Sequence, residues 1–179
     1  MVTLPESRDL IKLPEGVKAT LKGRSLTLKG PKGELTRGLK QNRVEIKVDP
    51  EGILLRCDLP RRADKAELGS YASHVRNMIV GVTSGYEYKM KTVFAHFPIK
   101  TTVKGPVLMI ENFLGERSAR KADILPGVKV DVKGDQVTVI GIDLEKVSQT
   151  AANIETATKV RDRDIRVFQD GIYITQKAA

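Results

Sequence analysis

The chain has 179 residues, with 31 Lys and Arg against 22 Asp and Glu, a net charge of +9 and a pI of about 9.7. Its single cysteine excludes an internal disulfide or a zinc site, and its apolar runs are far too short to cross a bilayer. No secretory signal is read at the start, so the expected setting is cytosolic, without a membrane. The basic surplus favours an anionic partner, nucleic acid first.

From Val17 the residues Val17, Ala19 and Leu21 alternate with Lys18, Thr20 and Lys22, the period of a half-buried strand. Gly23-Arg24 supplies a turn, and Leu26 and Leu28 continue in a second strand. The stretch GPKGELTRG, Gly30 to Gly38, lacks the ending of a P-loop. Its Gly30-Pro31-Lys32-Gly33 string matches the GXXG of a KH domain but lies in strand-like sequence, so a hairpin turn with an exposed Lys32 is the reading. Val44, Ile46 and Val48 form another alternating run, Asp49-Pro50-Glu51-Gly52 a turn, and Ile53, Leu55 and Cys57 the next strand. The period then changes: Leu68, Tyr71 or Ala72, Val75, Met78 or Ile79, and Val82 share one helix face, with Asp64 and Glu67 resembling a capping box.

Tyr86 to Phe94 reads as the last strand of a first lobe, and Pro98 breaks the pattern. In the second half Val128, Val130 and Val132 alternate with Lys129, Asp131 and Lys133, and Gly134-Asp135 turns the chain into Val137 and Val139. A helix follows Asp143, with Val147, Ala151, Ile154 and Thr158 inward and Glu145, Asn153 and Glu155 outward. The segment LPEGVKATLKGRSLTLKG, Leu13 to Gly30, matches LPGVKVDVKGDQVTVIG, Leu125 to Gly141. An internal duplication follows, with the hairpins 112 residues apart but the helices about 79 apart, hence a non-uniform repeat. The expected fold is α+β: two tandem lobes, residues 1–95 and 96–179, each a mostly antiparallel sheet with a helix on one face.

Residues 1–95 carry 18 basic and 11 acidic groups, and residues 96–179 carry 13 and 11, so bulk charge lies on the first lobe. The second lobe gathers its cations into two clusters: Arg117, Arg120 and Lys121, then Lys159, Arg161, Arg163 and Arg166. Both suit phosphate, although Asp162 and Asp164 would equally make an ion-pair lattice with no ligand. His74 and His96 have no nucleophile near them in sequence, and Cys57 falls in phase with Ile53 and Leu55 as a core residue. No metal-ligand spacing or acid/base pair occurs, so no catalytic residue, metal or cofactor is assigned, and a hydrolase is the weakest reading. With aromatics at 4% and no Trp there is no set of base-stacking platforms; Tyr71, Tyr86, Phe94 and Phe113 are read as core.

The segments LPEGV, GPKGELT, NMIVGVTSGYEYKMKTVFAHFPI, NFLGE, VSQTAANI and VRDRDIRVFQDGIYI, in this order, resemble the universal large-subunit ribosomal protein L-six family in its archaeal and eukaryotic branch, whose eukaryotic members are called L-nine. The resemblance spans nearly the whole chain. It implies a two-lobed, non-catalytic protein of the large ribosomal subunit that contacts ribosomal RNA and neighbouring ribosomal proteins. It further implies a place near the sarcin-ricin loop and the docking site of translational GTPases, with any link to those GTPases indirect. By position it implies RNA contact at Lys159, Arg161, Arg163 and Arg166, with Phe168 and Ile172 to Ile174 anchoring the last strand. Asn112 to Arg120 would form a second contact loop, in which Arg117 or Arg120 bridges phosphates that Lys121 meets as a point charge. Lys29, Lys32 and Arg37 rank behind these. A free-standing RNA-binding regulator is the alternative.

Overall fold

The computed structural model describes residues 6–39, 43–49 and 52–177. It divides into two compact units, one running up to Gly85 and one from Tyr86 onward. In the first, β1 (Glu6–Lys12), β6 (Gly52–Asp58) and β5 (Glu45–Asp49) form one antiparallel sheet in the order β1-β6-β5. A second antiparallel sheet joins β2 (Lys18–Lys22), β3 (Ser25–Gly30) and β4 (Gly33–Gly38) in sequence order. Helix α1 (Arg62–Thr83) packs on both. Pro50 and Glu51 of the expected turn lie outside the described residues, but Asp49 and Gly52 on either side of them are paired.

The alternations read from sequence are the burial pattern observed. Leu26, Leu28, Ile53 and Leu55 are wholly buried, Cys57 is nearly so, and Lys18, Thr20 and Lys22 are exposed. On α1 the stripe Leu68, Tyr71, Ala72, Val75, Met78 and Val82 faces this core, each large aliphatic contributing about 1.5–3 kcal/mol. Asp64 does cap the helix, though as the residue that reaches back: its carboxylate accepts from the Arg61 amide at 2.9 Å and pairs with Arg43 at 3.0 Å. Glu67 plays no part in the cap and accepts from the Tyr71 hydroxyl.

The second unit opens with β7 (Tyr86–Val93), followed by β8 (Lys100–Lys104), β9 (Val107–Glu111), a single 3-10 turn at Phe113–Gly115, and β10 (Arg120–Asp123). Then come β11 (Val128–Lys133), β12 (Gln136–Gly141), α2 (Leu144–Ala157) and β13 (Gly171–Gln176). One sheet has the order β11-β12-β7-β13 and the other β10-β9-β8, all antiparallel, and α2 covers both. Asp143 caps α2, its side chain accepting from Glu145 N at 3.0 Å.

Two sequence expectations need correction here. The boundary expected near residue 95 comes one strand too late, because β7 pairs with β12 and β13 and so belongs to the second unit. Alternation identifies a strand but not the sheet it joins. The duplication also has a different register from the matched hairpins. Strand β1 lies beside β6 as β7 lies beside β12; the meander β2-β3-β4 corresponds to β8-β9-β10; and β5-β6 corresponds to β11-β12. Starting residues of equivalent elements differ by 80 to 87, a nearly uniform repeat. The likeness between Leu13–Gly30 and Leu125–Gly141 therefore joins β2-β3 to β11-β12, which occupy different sheets, and reflects the shared chemistry of a hairpin.

The copies depart from each other in two connections. Between β3 and β4 there is only the Pro31-Lys32 turn, whereas β9 and β10 are separated by residues 112–119. After α1 the first unit ends within two residues, at Gly85, whereas α2 is followed by residues 158–170 and a further strand, β13. The longer insertion carries Lys159, Arg161, Arg163 and Arg166, and the shorter carries Arg117 and leads into Arg120 and Lys121 at the start of β10.

Candidate nucleic-acid interface

The longer loop is held by its own backbone and by acids that serve as acceptors. Asp164 Oδ1 accepts from the Arg166 amide at 2.9 Å, and the Asp164 carbonyl accepts from Val167 N and Phe168 N at 3.1 and 3.0 Å. Asp162 takes a left-handed conformation at φ 56°. Arg163 lies over the half-buried Phe168 ring, 4.9 Å from its centroid. At the far end Asp170 is buried and accepts from Ala95 N at 2.9 Å, and Ile172 is wholly buried. The loop's base is therefore fixed while its cations stand out.

Lys159, Arg161, Arg163 and Arg166 are all exposed, and among the described residues none makes an ion pair with Asp162 or Asp164. The ion-pair lattice left open by the sequence is absent there, and Asp164 Oδ1 accepts instead from the Arg166 amide. Arg161 borders an open cleft of about 700 Å³ between β10 and α2, whose lining includes Arg120, Lys121, Gln149, Asn153 and Thr156. Gln149 Nε2 donates to Asn153 Oδ1 at 2.9 Å, and Asn153 Nδ2 donates to the Asp123 carbonyl at 3.1 Å. Sequence reasoning assigned Asn153 only to the outer face of α2 and passed over Gln149 and Thr156. Their spacing, four and then three residues, is the signal that placed them on one stripe.

The shorter loop has an unusual backbone. Asn112, Leu114 and Gly115 have φ of 61°, 50° and 78°, and Leu114 costs about 1–2 kcal/mol in that region. Burial of Phe113, with no exposed surface, and the Asn112 Nδ2 bond to the Pro98 carbonyl at 3.1 Å hold it. The Phe97 ring lies 3.2 Å from where a Gly115 side chain would begin. Arg117 and Lys121 are exposed. Arg120 is turned inward: Nε and Nη2 grip Glu116 at 2.9 and 2.6 Å, and Nη1 donates to the Ala157 and Lys159 carbonyls at 3.0 and 3.2 Å. Its guanidinium carbon also lies 4.1 Å from the Phe113 ring centroid. The Glu116 carboxyl is held below its ordinary range by the Arg120 hydrogen bond, against partial desolvation, with the charges of Arg120 and Arg163 adding.

In the first unit the three cations named from sequence do not converge. Lys29 is exposed on β3, opposite Lys18 and Glu34. Lys32 sits in the expected turn, but its ammonium donates to the Ser84 carbonyl and its amide to the Val82 carbonyl at 3.0 Å. A side-chain carbon on Gly30 would fall 2.7 Å from that Val82 oxygen, so glycine is required for the turn to dock on the end of α1. Arg37 Nη2 lies 3.2 Å from His74 Nε2. The GPKG string thus serves the helix C-terminus, where a cation is favoured, and is not a phosphate cradle.

Among the described residues no three His, Cys, Asp or Glu side chains gather to hold a metal. Cys57 is buried, and desolvation followed by the charge of Asp64 raises its thiol above the ordinary range, away from reactivity. His96 packs edge-on against Phe97 at 4.7 Å. Tyr71, Tyr86 and Phe113 are buried as read, but Phe94, expected in the core, is 38% exposed.

Fold and surface together define a duplicated α+β protein whose second unit presents exposed cations in two loops beside an open cleft. The family model described as Ribosomal protein L6 matches residues 13–85 and 97–171, one segment within each unit. A large ribosomal subunit protein uL6 from Methanobrevibacter smithii is 48% identical over 177 residues, covering 99% of each chain. Proteins of the same name from Methanocella arvoryzae and Methanospirillum hungatei are 48% and 49% identical over 169 residues, each covering 94% of this chain and 96% of the relative. The chain belongs to the ribosomal protein L6 family, whose role is structural and not enzymatic.

Proposed function

We propose that this protein is a structural constituent of the large ribosomal subunit, bound to large-subunit rRNA through the loops of its second unit and to neighbouring ribosomal proteins. The observation that carries the RNA contact is the set of four exposed cations, Lys159, Arg161, Arg163 and Arg166, none of them ion-paired to the loop's own Asp162 or Asp164, on a fixed loop beside an open cleft. By contrast Arg43, Arg56 and Arg76 of the first unit are each paired to acids. Recognition is by backbone and shape, since folded RNA displays phosphates and 2′-hydroxyls and keeps its base edges in a deep groove. Arg117 and Lys121 extend the same surface. Lys29 stays a secondary candidate, and Lys32 and Arg37 act within the fold.

The family relationship supports a place in the cytoplasmic ribosome, near the sarcin-ricin loop and the docking site of translational GTPases, which the protein would serve by holding rRNA in its working geometry. Sedimentation of the tagged protein on sucrose gradients, at low and moderately high salt, tests this. Near-stoichiometric presence in the large-subunit peak at both salts is the expected result. Recovery only from the soluble fractions, or loss at modest salt, would replace the proposal with a free RNA-binding regulator.

A further inference from the structure

Arg120 is the point where the two inserted loops meet. A guanidinium has five N–H donors, and four bonds from Arg120 are already made inside the protein: two to Glu116 of the shorter loop and two to the carbonyls of Ala157 and Lys159, where the longer loop leaves α2. Phe113 covers one face of the group. The first unit has a simpler counterpart, Lys32, which follows the equivalent strand and donates to the Ser84 carbonyl at the end of α1. A lysine there reaches one helix end. An arginine reaches the helix end, the loop beyond it and a carboxylate at once.

We propose that Arg120 and Glu116 form a positioning clamp that locks the 112–119 and 158–170 loops into one arrangement, and that Arg120 itself meets no phosphate. This inference rests on RNA binding by the second unit. It reverses the role that sequence position suggested for Arg120, and it assigns an acid within a basic surface a favourable effect on RNA affinity. If the clamp is released and the competent arrangement falls to about a tenth of the population, the apparent Kd for RNA rises about tenfold.

The test uses full-length Glu116→Gln and Arg120→Lys proteins with large-subunit rRNA of Methanobrevibacter smithii, and an Arg161→Glu/Arg166→Glu protein as reference. Glu116→Gln makes the surface more positive by one charge, so attraction alone predicts tighter binding. The clamp predicts binding weaker by about tenfold with the salt dependence unchanged. Arg120→Lys keeps the charge but loses the fork, and the same weakening is expected. Hydrogen exchange without RNA should show faster amides in both 112–119 and 158–166 for either variant. Circular dichroism and thermal melting confirm that each is folded at the assay temperature, and Glu116→Gln, the smaller change, carries the test where Arg120→Lys does not fold.

Equal or tighter binding by Glu116→Gln, or wild-type binding by Arg120→Lys, overturns the inference. So does faster exchange confined to one loop. Failure of the wild-type protein to bind the rRNA overturns the functional reading and the RNA role of the clamp together. Normal wild-type binding, lost on reversing Arg161 and Arg166 but undiminished in Glu116→Gln, overturns the clamp alone.

Discussion

Reversing Arg161 and Arg166 to glutamate is the sharpest perturbation of the proposed interface. Both side chains are exposed and neither is paired to Asp162 or Asp164, so stability should change by no more than about 0.5 kcal/mol. The exposed cations of the proposed interface are Arg117, Lys121, Lys159, Arg161, Arg163 and Arg166. If each neutralises one phosphate, the logarithm of the RNA association constant should fall with the logarithm of salt at a slope of about −4 to −5.5, between the single-strand and duplex values. Removing two contacts lowers the magnitude of that slope by about 1.4 to 1.8. The gap between wild type and variant should then narrow by roughly tenfold between about 50 and 200 mM salt. Filter binding or fluorescence anisotropy across that range, with melting curves as the fold control, provides the measurement. Identical slopes for the two proteins would refute the assignment of Arg161 and Arg166 to phosphate, even if overall affinity fell.

Three further outcomes are expected. Gly30→Ala places a carbon 2.7 Å from the Val82 oxygen and should cost about 1–3 kcal/mol by overpacking, whereas Gly38→Ala, with nothing within 4 Å, should lie near wild type; urea melts compare them. Equal stability of the pair would show that the turn does not dock on α1. Val130→Asp sets a carboxylate opposite the buried Val139 beneath α2 and should cost at least about 3 kcal/mol, so cooperative wild-type-like melting would mean that the strand faces the other way. Because Glu116 has a folded pKa below its ordinary value of 4.5, its stabilisation is complete above that value and is lost as pH falls through the folded pKa. Hydrogen-exchange protection of the 112–119 loop, compared with the same loop in Glu116→Gln, should therefore converge on the variant only in acid; convergence near neutral pH would contradict the pairing.

Periodicity determined most of the local structure. A period of two through Val17–Leu28, Val44–Cys57 and Val128–Val139, and a period near 3.6 through Leu68–Val82, are consequences of backbone geometry meeting a buried face, and they need no knowledge of partners. The cation clusters were equally visible as charges. What periodicity does not encode is which strand lies beside which. The sequence match between Leu13–Gly30 and Leu125–Gly141 therefore suggested the wrong register of duplication, and β7 was assigned to the lobe that precedes it. Pairing is decided by long-range contacts, which depend on how every element packs.

The same limit governs the site. Lys32, Arg37, Arg120, Arg161 and Arg166 carry the same formal charge, but only the fold decides which of them face water. Lys32 turns to a helix end, Arg37 to His74, and Arg120 to Glu116 and two carbonyls. Arg161 and Arg166 stay outward, Arg161 making no ion pair with its neighbour Asp162, and Asp164 accepting the Arg166 amide rather than a guanidinium. Charge is a property of the residue and could be read from the sequence; whether that charge is satisfied within the molecule is a property of its neighbours, and only the tertiary structure supplied them.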